Sequence, residues 1–233
     1  TGRSQIIAAR KAYHGNTQGS LSIMDYELRK QPFRPLIPDV AWIEFNNEAE
    51  LQKITHRTAG VVLETIQGGA GFITPENDYL AKVKKRCEEV GALLILDEIQ
   101  PGFGRTGTLF GFQNYNVVPD IIAIGKGMAS GLPCGAFVAS YELMHLLADN
   151  PKMSHITTFG GNPVVAAASL ATLRELISTD LMAQTLEKEQ LFRKLLRHPK
   201  IKAVHGKGLM LAAIMEDEDL ANHVILYAHE HGC

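Results

Sequence analysis

The sequence predicts an α/β protein: a large domain built on a mostly parallel sheet, followed by part of a smaller α+β domain at the C-terminal end. Short apolar segments rich in β-branched residues alternate with helical patterns along the chain. Several of these segments are apolar without interruption, which is typical of strands buried on both faces. Two long helical patterns follow one another from residue 163 onwards. We place the large domain at residues 1–180 and the small domain at residues 181–233.

The predicted strands of the large domain follow one another at regular intervals. They cover residues 5–9, 42–45, 59–66, 92–96, 121–124 and 136–139. A helix is predicted over residues 75–90, with Leu80 and Val83 on its apolar face and Gly91 after its end. Strands connected by helices favour a parallel sheet.

The small domain is predicted from the remaining patterns. Its helices are expected over residues 181–197 and 218–229 and its strands over residues 201–204 and 209–214, while a helix over residues 163–176 ends the large domain. Residue 1 is not methionine, and the chain stops as its last helix ends. We therefore expect an internal portion of a longer protein, which lacks the N-terminal part of the large domain and the rest of the small one.

The composition limits the classes of function. Among 233 residues, 45% are hydrophobic and 21% are charged, and the formal net charge is −2. Such a balance gives no strong field that would attract nucleic acid or an anionic membrane. The three cysteines form no C-x-x-C pair, which favours a reducing, cytoplasmic compartment over a disulfide framework or a metal site.

Two charged residues stand where parallel sheets bind ligands. Asp97 follows the strand over residues 92–96, and Lys126 follows the next strand between two glycines. Because ligands bind beyond the carboxyl ends of such strands, we expect both side chains to face one cleft. Lys126 is either solvated there or held as a neutral amine in a dehydrated site. A structural ion pair at the rim of the sheet is the alternative interpretation.

Two glycine motifs nearby do not fit their usual functions. Residues 102–107 spell G-x-G-x-x-G, but the aromatic segment after them does not read as the helix that a dinucleotide-binding site needs. A tight loop over a ligand is the better interpretation. A phosphate-binding P-loop would need glycine in place of Asp120 and serine or threonine in place of Gly127.

Six motifs in a fixed order resemble the class III aminotransferases, pyridoxal 5'-phosphate enzymes of fold type I. They are Y-H-G at 13–15, E-T-I-Q-G at 64–68, D-E-I-Q at 97–100, G-K-G at 125–127, T-F-G-G-N-P at 158–163 and G-K-G-L at 206–209. The resemblance spans essentially the whole chain. It implies ping-pong transamination in a homodimer with shared active sites. An amino acid or ω-amine donor of the acetylornithine/ornithine type would give its amino group to a 2-oxo acid.

The resemblance also implies a role for each matching residue. Lys126 would bind the cofactor as a Schiff base and later move a proton, and Asp97 would pair with the pyridine nitrogen. Tyr13 would stack on the ring, with Ile99 packing on the opposite face. Further cofactor contacts are implied for His14, Glu64, Gln100 and, towards the neighbouring subunit, Thr158. Read singly, Tyr13 and His14 could instead be core residues, and Glu64 could be the partner of an arginine.

Two positions depart from the family pattern. Many members that act on ω-amino acids carry an arginine just before G-K-G-L and a glutamate late in the E-x-I-Q-G segment, and this sequence has His205 and Gly69 there. A protonated His205 would bind a substrate carboxylate more weakly, because it lacks the arginine fork. Two other functions stay open: decarboxylation or amino-group migration on the same scaffold, and a non-catalytic binding or assembly subunit.

Overall fold

The computed structural model describes residues 1–149, 152–153 and 155–232. Its larger sheet has six strands in the order β2-β1-β3-β4-β5-β6. They are β1 (Gln5–Ala9), β2 (Val40–Ile43), β3 (Thr58–Glu64), β4 (Leu93–Asp97), β5 (Ile121–Gly125) and β6 (Gly135–Ala139). The first five are parallel, and β6 pairs antiparallel with β5. The mostly parallel α/β sheet is confirmed, and each predicted strand lies within two residues of its observed bounds.

The helices and a second, two-stranded sheet complete the fold. The helices are α1 (Gln18–Ile23), α2 (Glu27–Lys30), α3 (Tyr79–Val90), α4 (Tyr141–Asp149), α5 (Pro163–Ser178), α6 (Leu181–Leu195) and α7 (Glu218–Glu230). The antiparallel strands β7 (Ile201–Lys207) and β8 (Met210–Met215) form the small sheet. Helix α3 begins later than predicted because Asn77 and Asp78 adopt left-handed backbone angles, φ 48° and 59°, which belong to a turn.

The main apolar core lies between α3 and the six-stranded sheet. Leu80, Val83 and Cys87 repeat at helical spacing on one face of α3, and all three are completely buried. They belong to one apolar cluster with strand residues such as Leu63 and Leu94. This packing fixes β3 and β4 as a rigid support, and the carboxyl ends of these strands carry the polar residues described below.

The C-terminal hairpin is attached to the turn over residues 102–107. The Leu209 N–H donates to the Arg105 carbonyl over 2.9 Å, and the Thr185 hydroxyl donates to the Gly104 carbonyl over 3.2 Å. At Gly208 a side chain would lie only 2.4 Å from the Arg105 carbonyl, so the close approach requires glycine. The proposed domain boundary at residue 180 falls between α5 and α6 and stays a prediction. In the described ranges, no helix is long and apolar enough to cross a membrane.

Candidate active site

The polar residues predicted at strand ends meet at one edge of the sheet. Glu64 and Asp97 are register neighbours at the carboxyl ends of β3 and β4, and Lys126 directly follows β5. A cavity of about 230 Å³ opens at this edge. It is lined by Tyr13, His14, Gly15, Glu64, Asp97, Ile99, Gln100, Pro101 and Lys126. Seven of the predicted site residues are therefore brought together.

Asp97 is buried at the base of this cavity and is held from two sides. Its Oδ2 atom lies 2.8 Å from His14 Nδ1, and its Oδ1 atom accepts the Ile99 N–H over 3.0 Å. The His14 side chain is 4% exposed, and its Nε2 has no hydrogen-bond partner in the described part of the chain. Nδ1 can therefore donate a hydrogen bond to the Asp97 carboxylate, while Nε2 is buried without a described partner.

Glu64 holds the backbone that carries Tyr13. Its carboxylate accepts the Tyr13 N–H over 3.1 Å and the Gly68 N–H over 3.0 Å. Burial raises the pKa of Glu64, while these two N–H groups act in the opposite direction. Among the described contacts its hydrogen-bond partners are backbone groups, so the interpretation of Glu64 as the partner of an arginine is not supported.

Tyr13, Ile99 and Gln100 form the side walls. Tyr13 is 40% exposed, which excludes the interpretation of this residue as a core aromatic. Ile99 is half-buried and contributes apolar surface to the cavity. A side chain added at Gly68 would lie 3.0 Å from Gln100 Oε1 and 3.1 Å from Glu64 Oε1. The amide and the carboxylate therefore both crowd Gly68, which places them on the same side of the cavity.

The exposure of Lys126 bears on the two alternatives for its amine. Lys126 is exposed in this chain, which agrees with the solvated alternative for its amine and not with the dehydrated one. The residue lies at the mouth of the cavity and also lines a second cavity of about 200 Å³, which includes Arg105 and Met210. Its φ of 42° is left-handed, a conformation that costs a non-glycine residue of the order of 1 kcal/mol and is common at functional sites. In the described residues Lys126 forms no ion pair with Asp97, so the structural ion pair is not observed.

Two predicted site residues lie outside these cavities. Thr158 is exposed in the loop before α5, and His205 is exposed on β7 opposite Ala212. Neither lines the cavity at the strand ends. Their roles towards a neighbouring subunit and a substrate carboxylate stay predictions. Residues 102–107 form successive turns and open no helix, in agreement with the loop interpretation.

Glu98 supports the site, although its place in the D-E-I-Q motif does not by itself indicate this role. It is completely buried, and its carboxylate accepts the Thr65 hydroxyl over 2.5 Å and the N–H groups of Gly111 and Phe112 over 2.7 and 2.8 Å. Burial raises the pKa of Glu98. The contacts tie the segment around residues 101–112 to the sheet, and this segment forms the wall beside Gln100. The sequence does carry one sign of this role, because Asp97 and Glu98 follow one another at the end of a buried strand. Successive side chains of a strand point to opposite faces, so only one of the two can face the cavity.

The assembled groups suit a flat aromatic cofactor. A buried carboxylate can hold a proton on a basic ring nitrogen, and Tyr13 and Ile99 offer aromatic and apolar surface for a ring. The Lys126 amine can attack an electrophilic carbonyl. Asp97 has spare acceptor capacity, since each of its oxygens has one described partner.

Comparison with known proteins agrees with this geometry. The family model described as aminotransferase class III matches residues 1–233. Over 216 residues the chain is 36% identical to the LysW-aminoadipate semialdehyde/glutamate semialdehyde transaminase of Sulfurisphaera tokodaii, a match that covers 91% of this chain and 55% of that protein.

Solved structures show the same likeness. The ornithine aminotransferase of Toxoplasma gondii superposes with a TM-score of 0.90 at 29% identity, covering 99% of this chain and 56% of that one. The taurine:2-oxoglutarate aminotransferase of Bifidobacterium kashiwanohense, solved with PLP and glutamate, gives a TM-score of 0.81 at 26% identity, with 90% and 54% covered. The chain thus spans about half the length of these relatives.

Proposed function

Since the chain belongs to the class III aminotransferases, whose family model matches it from residue 1 to residue 233, we propose that the full-length protein is a pyridoxal 5'-phosphate-dependent transaminase. It would move an amino group from an amino acid or ω-amine donor of the acetylornithine/ornithine type to a 2-oxo acid in a ping-pong reaction. The observation that carries the proposal is the cavity shared by Lys126 and Asp97, with Asp97 buried and bound to His14.

The residues of the cavity divide the work of binding this cofactor. Pyridoxal phosphate, when bound, supplies an electrophilic carbonyl carbon and a ring that withdraws electrons from the carbon being deprotonated. Asp97 would hold the proton on the ring nitrogen, and His14 would keep that carboxylate oriented through the contact between Nδ1 and Oδ2. Tyr13 would cover one face of the ring and Ile99 the other. Gln100, next to Glu64, would hydrogen-bond to the polar edge of the ring.

Lys126 would serve both as the attachment point and as the proton carrier. Its amine would bind the carbonyl carbon and, when free, take a proton from the reacting carbon of the substrate. In the chain described here the amine is exposed. We expect the rest of the full-length protein and the neighbouring subunit to cover this mouth in a homodimer. The exposed Thr158 would then contact the cofactor phosphate of that subunit.

The test uses the full-length protein loaded with pyridoxal phosphate and a panel of amines. We expect at least one amine to bleach the absorbance of the bound cofactor, and a 2-oxo acid to restore it with release of the new amino acid. Lys126→Ala should abolish both changes, whereas Lys85→Ala, which alters an exposed lysine on α3, should leave them intact.

Two results would favour the other functions. Turnover of an amine with no requirement for an oxo acid would indicate decarboxylation or amino-group migration. Failure of the full-length protein to bind the cofactor at all would indicate a binding or assembly subunit.

A further inference from the structure

A third cavity adjoins the candidate active site. It has a volume of about 440 Å³ and shares Tyr13 with the cavity at the strand ends. Gly69 forms part of its wall, and Lys11, Tyr26 and Arg29 also line it. Because Tyr13 belongs to both cavities, a molecule bound beside this residue could extend from one into the other.

The exposed side chain of Arg29 contacts two aromatic rings. Its Cζ atom lies 5.9 Å from the centroid of the Tyr13 ring and 5.4 Å from that of Tyr26. Cation–π contacts of this kind orient the planar group while leaving its N–H donors unused. Within the described ranges, no carboxylate forms an ion pair with Arg29.

The charges that line this cavity favour an anion. Lys11 and Arg29 are cationic, and Asp25 is the acidic residue of the lining. The Asp25 carboxylate accepts the backbone N–H of Lys11 over 2.8 Å and lies 3.8 Å from Arg10 Nη1. Asp25 is therefore already engaged by Lys11 and Arg10, and among the residues that the structure describes it forms no ion pair with Arg29.

Gly69 keeps the space beside Tyr13 open. A Cβ atom at this position would lie 3.1 Å from the Lys11 carbonyl and 3.5 Å from Tyr13 Cβ. A glutamate at position 69 would place a competing carboxylate at this wall, and the absence of a side chain removes that competitor. His205, the other position that departs from the family pattern, is exposed on β7 and lines neither cavity.

We propose that Arg29, assisted by Lys11, binds the substrate carboxylate that lies remote from the reacting carbon. The inference rests on the proposed function and names its substrate class, which is a carboxylate-bearing amine and the matching oxo acid. A guanidinium that contacts aromatic rings can still offer two parallel N–H donors to a carboxylate. Arg29 is thereby a specificity-determining residue on the Tyr13 side of the cleft.

The first experiment compares two amines of equal chain length on the full-length holoenzyme, 5-aminopentanoate and pentylamine. Arg29→Gln should raise KM for 5-aminopentanoate by about tenfold or more, the factor expected for loss of a charge-assisted pair. KM for pentylamine should change by less than about twofold. Arg29→Lys should fall between, because it keeps the charge and loses the fork.

Arg34→Gln is the matched control. Arg34 is an exposed arginine that pairs with Glu27 at 2.6 Å and lines a separate groove. Its substitution removes the same charge and should leave both KM values unchanged. Equal loss with both amines in Arg29→Gln, or no loss with either, would overturn the inference.

A second readout needs no turnover. Calorimetric titration of the holoenzyme with glutarate should show binding that Arg29→Gln weakens by about tenfold. Unchanged glutarate binding in the variant, or none in the parent enzyme, would overturn the inference. If glutarate binding depends on Arg29 but no amine is converted, the proposed function fails while the anion site stands. If amines are converted with unchanged preference in Arg29→Gln, the inference fails alone.

Discussion

The Nδ1 atom of His14 lies 2.8 Å from the Oδ2 atom of Asp97, and both side chains are more than nine-tenths buried. The contact joins the loop after β1 to the end of β4, two strands that are separated in the sheet by β3. Because the backbone N–H of Ile99 holds the other oxygen, the Asp97 carboxylate is restrained from both sides. The orientation of Asp97 therefore depends on a residue 83 positions away in the sequence.

Two replacements of His14 should separate the effect of its Nδ1 donor from the effect of its size. His14→Phe removes the Nδ1 donor, and kcat should fall by about 10- to 100-fold, with weaker cofactor binding. His14→Asn places an amide donor near the Nδ1 position, and we expect it to recover part of the loss. Both kcat and the cofactor dissociation constant would be measured on the full-length enzyme. His56→Phe, at an exposed position, is the control. Equal loss of kcat in His14→Phe and His14→Asn would contradict the positioning role of His14.

The Asp97→Asn variant should still bind the cofactor but should be nearly inactive. The amide cannot hold a proton on the ring nitrogen as a carboxylate does, so the half-reaction rate with an amine should fall by about 100-fold or more. Stopped-flow absorbance measures that rate, and equilibrium dialysis checks that the cofactor remains bound. Near-normal turnover with the cofactor in place would contradict the role of Asp97.

The fold and the strand-end residues could be predicted because they depend on local patterns. Segments rich in β-branched residues located the first three strands, unbroken apolar segments located the other three, and the carboxyl-end rule brought Asp97 and Lys126 to one cavity. The antiparallel direction of β6 was missed, since periodicity carries no information on strand direction. The short helix α2 was missed because four residues give too little periodicity, and Arg29 lies within it.

The contacts of Glu98 and the exposure of Lys126 could not be predicted for a different reason. Glu98 binds groups 33, 13 and 14 positions away, and such pairings appear only when the chain is folded. The exposure of Lys126 depends on what covers the mouth of the cavity. No local pattern of residues encodes that cover.

Glu98→Ala should destabilise the large domain strongly. The change leaves the Gly111 and Phe112 N–H groups and the Thr65 hydroxyl without their buried acceptor, which costs about 2–4 kcal/mol of unfolding free energy. Urea denaturation of the full-length protein measures the loss. Glu187→Ala, at an exposed site on α6, should change the unfolding free energy by less than about 0.5 kcal/mol. Equal stability of the two variants would mean that Glu98 does not anchor the segment.

The buried carboxyl of Glu64 should make stability depend on pH in a defined direction. Burial raises its folded-state pKa above the ordinary value of 4.5, so the folded protein binds the proton more tightly than the unfolded chain. This contribution to stability is fully present below pH 4.5 and is lost as the pH rises through the raised value.

The measurement compares the parent protein with Glu64→Gln across this window. Denaturation curves at increasing pH should show the parent losing unfolding free energy relative to the variant and then levelling off. Glu187→Gln should follow the parent at every pH. A relative gain by the parent would mean that the Tyr13 and Gly68 N–H groups outweigh the effect of burial.

The central claim is that Lys126 and Asp97 act on one cofactor, and reductive labelling of Lys126 tests it most directly. The full-length holoenzyme would be treated with borohydride, digested and mapped by mass spectrometry. We predict the pyridoxyl group on the peptide that contains Lys126, its loss in Lys126→Ala and its retention in Lys85→Ala. A pyridoxyl group on any other lysine, or labelling that persists in Lys126→Ala, would contradict the account.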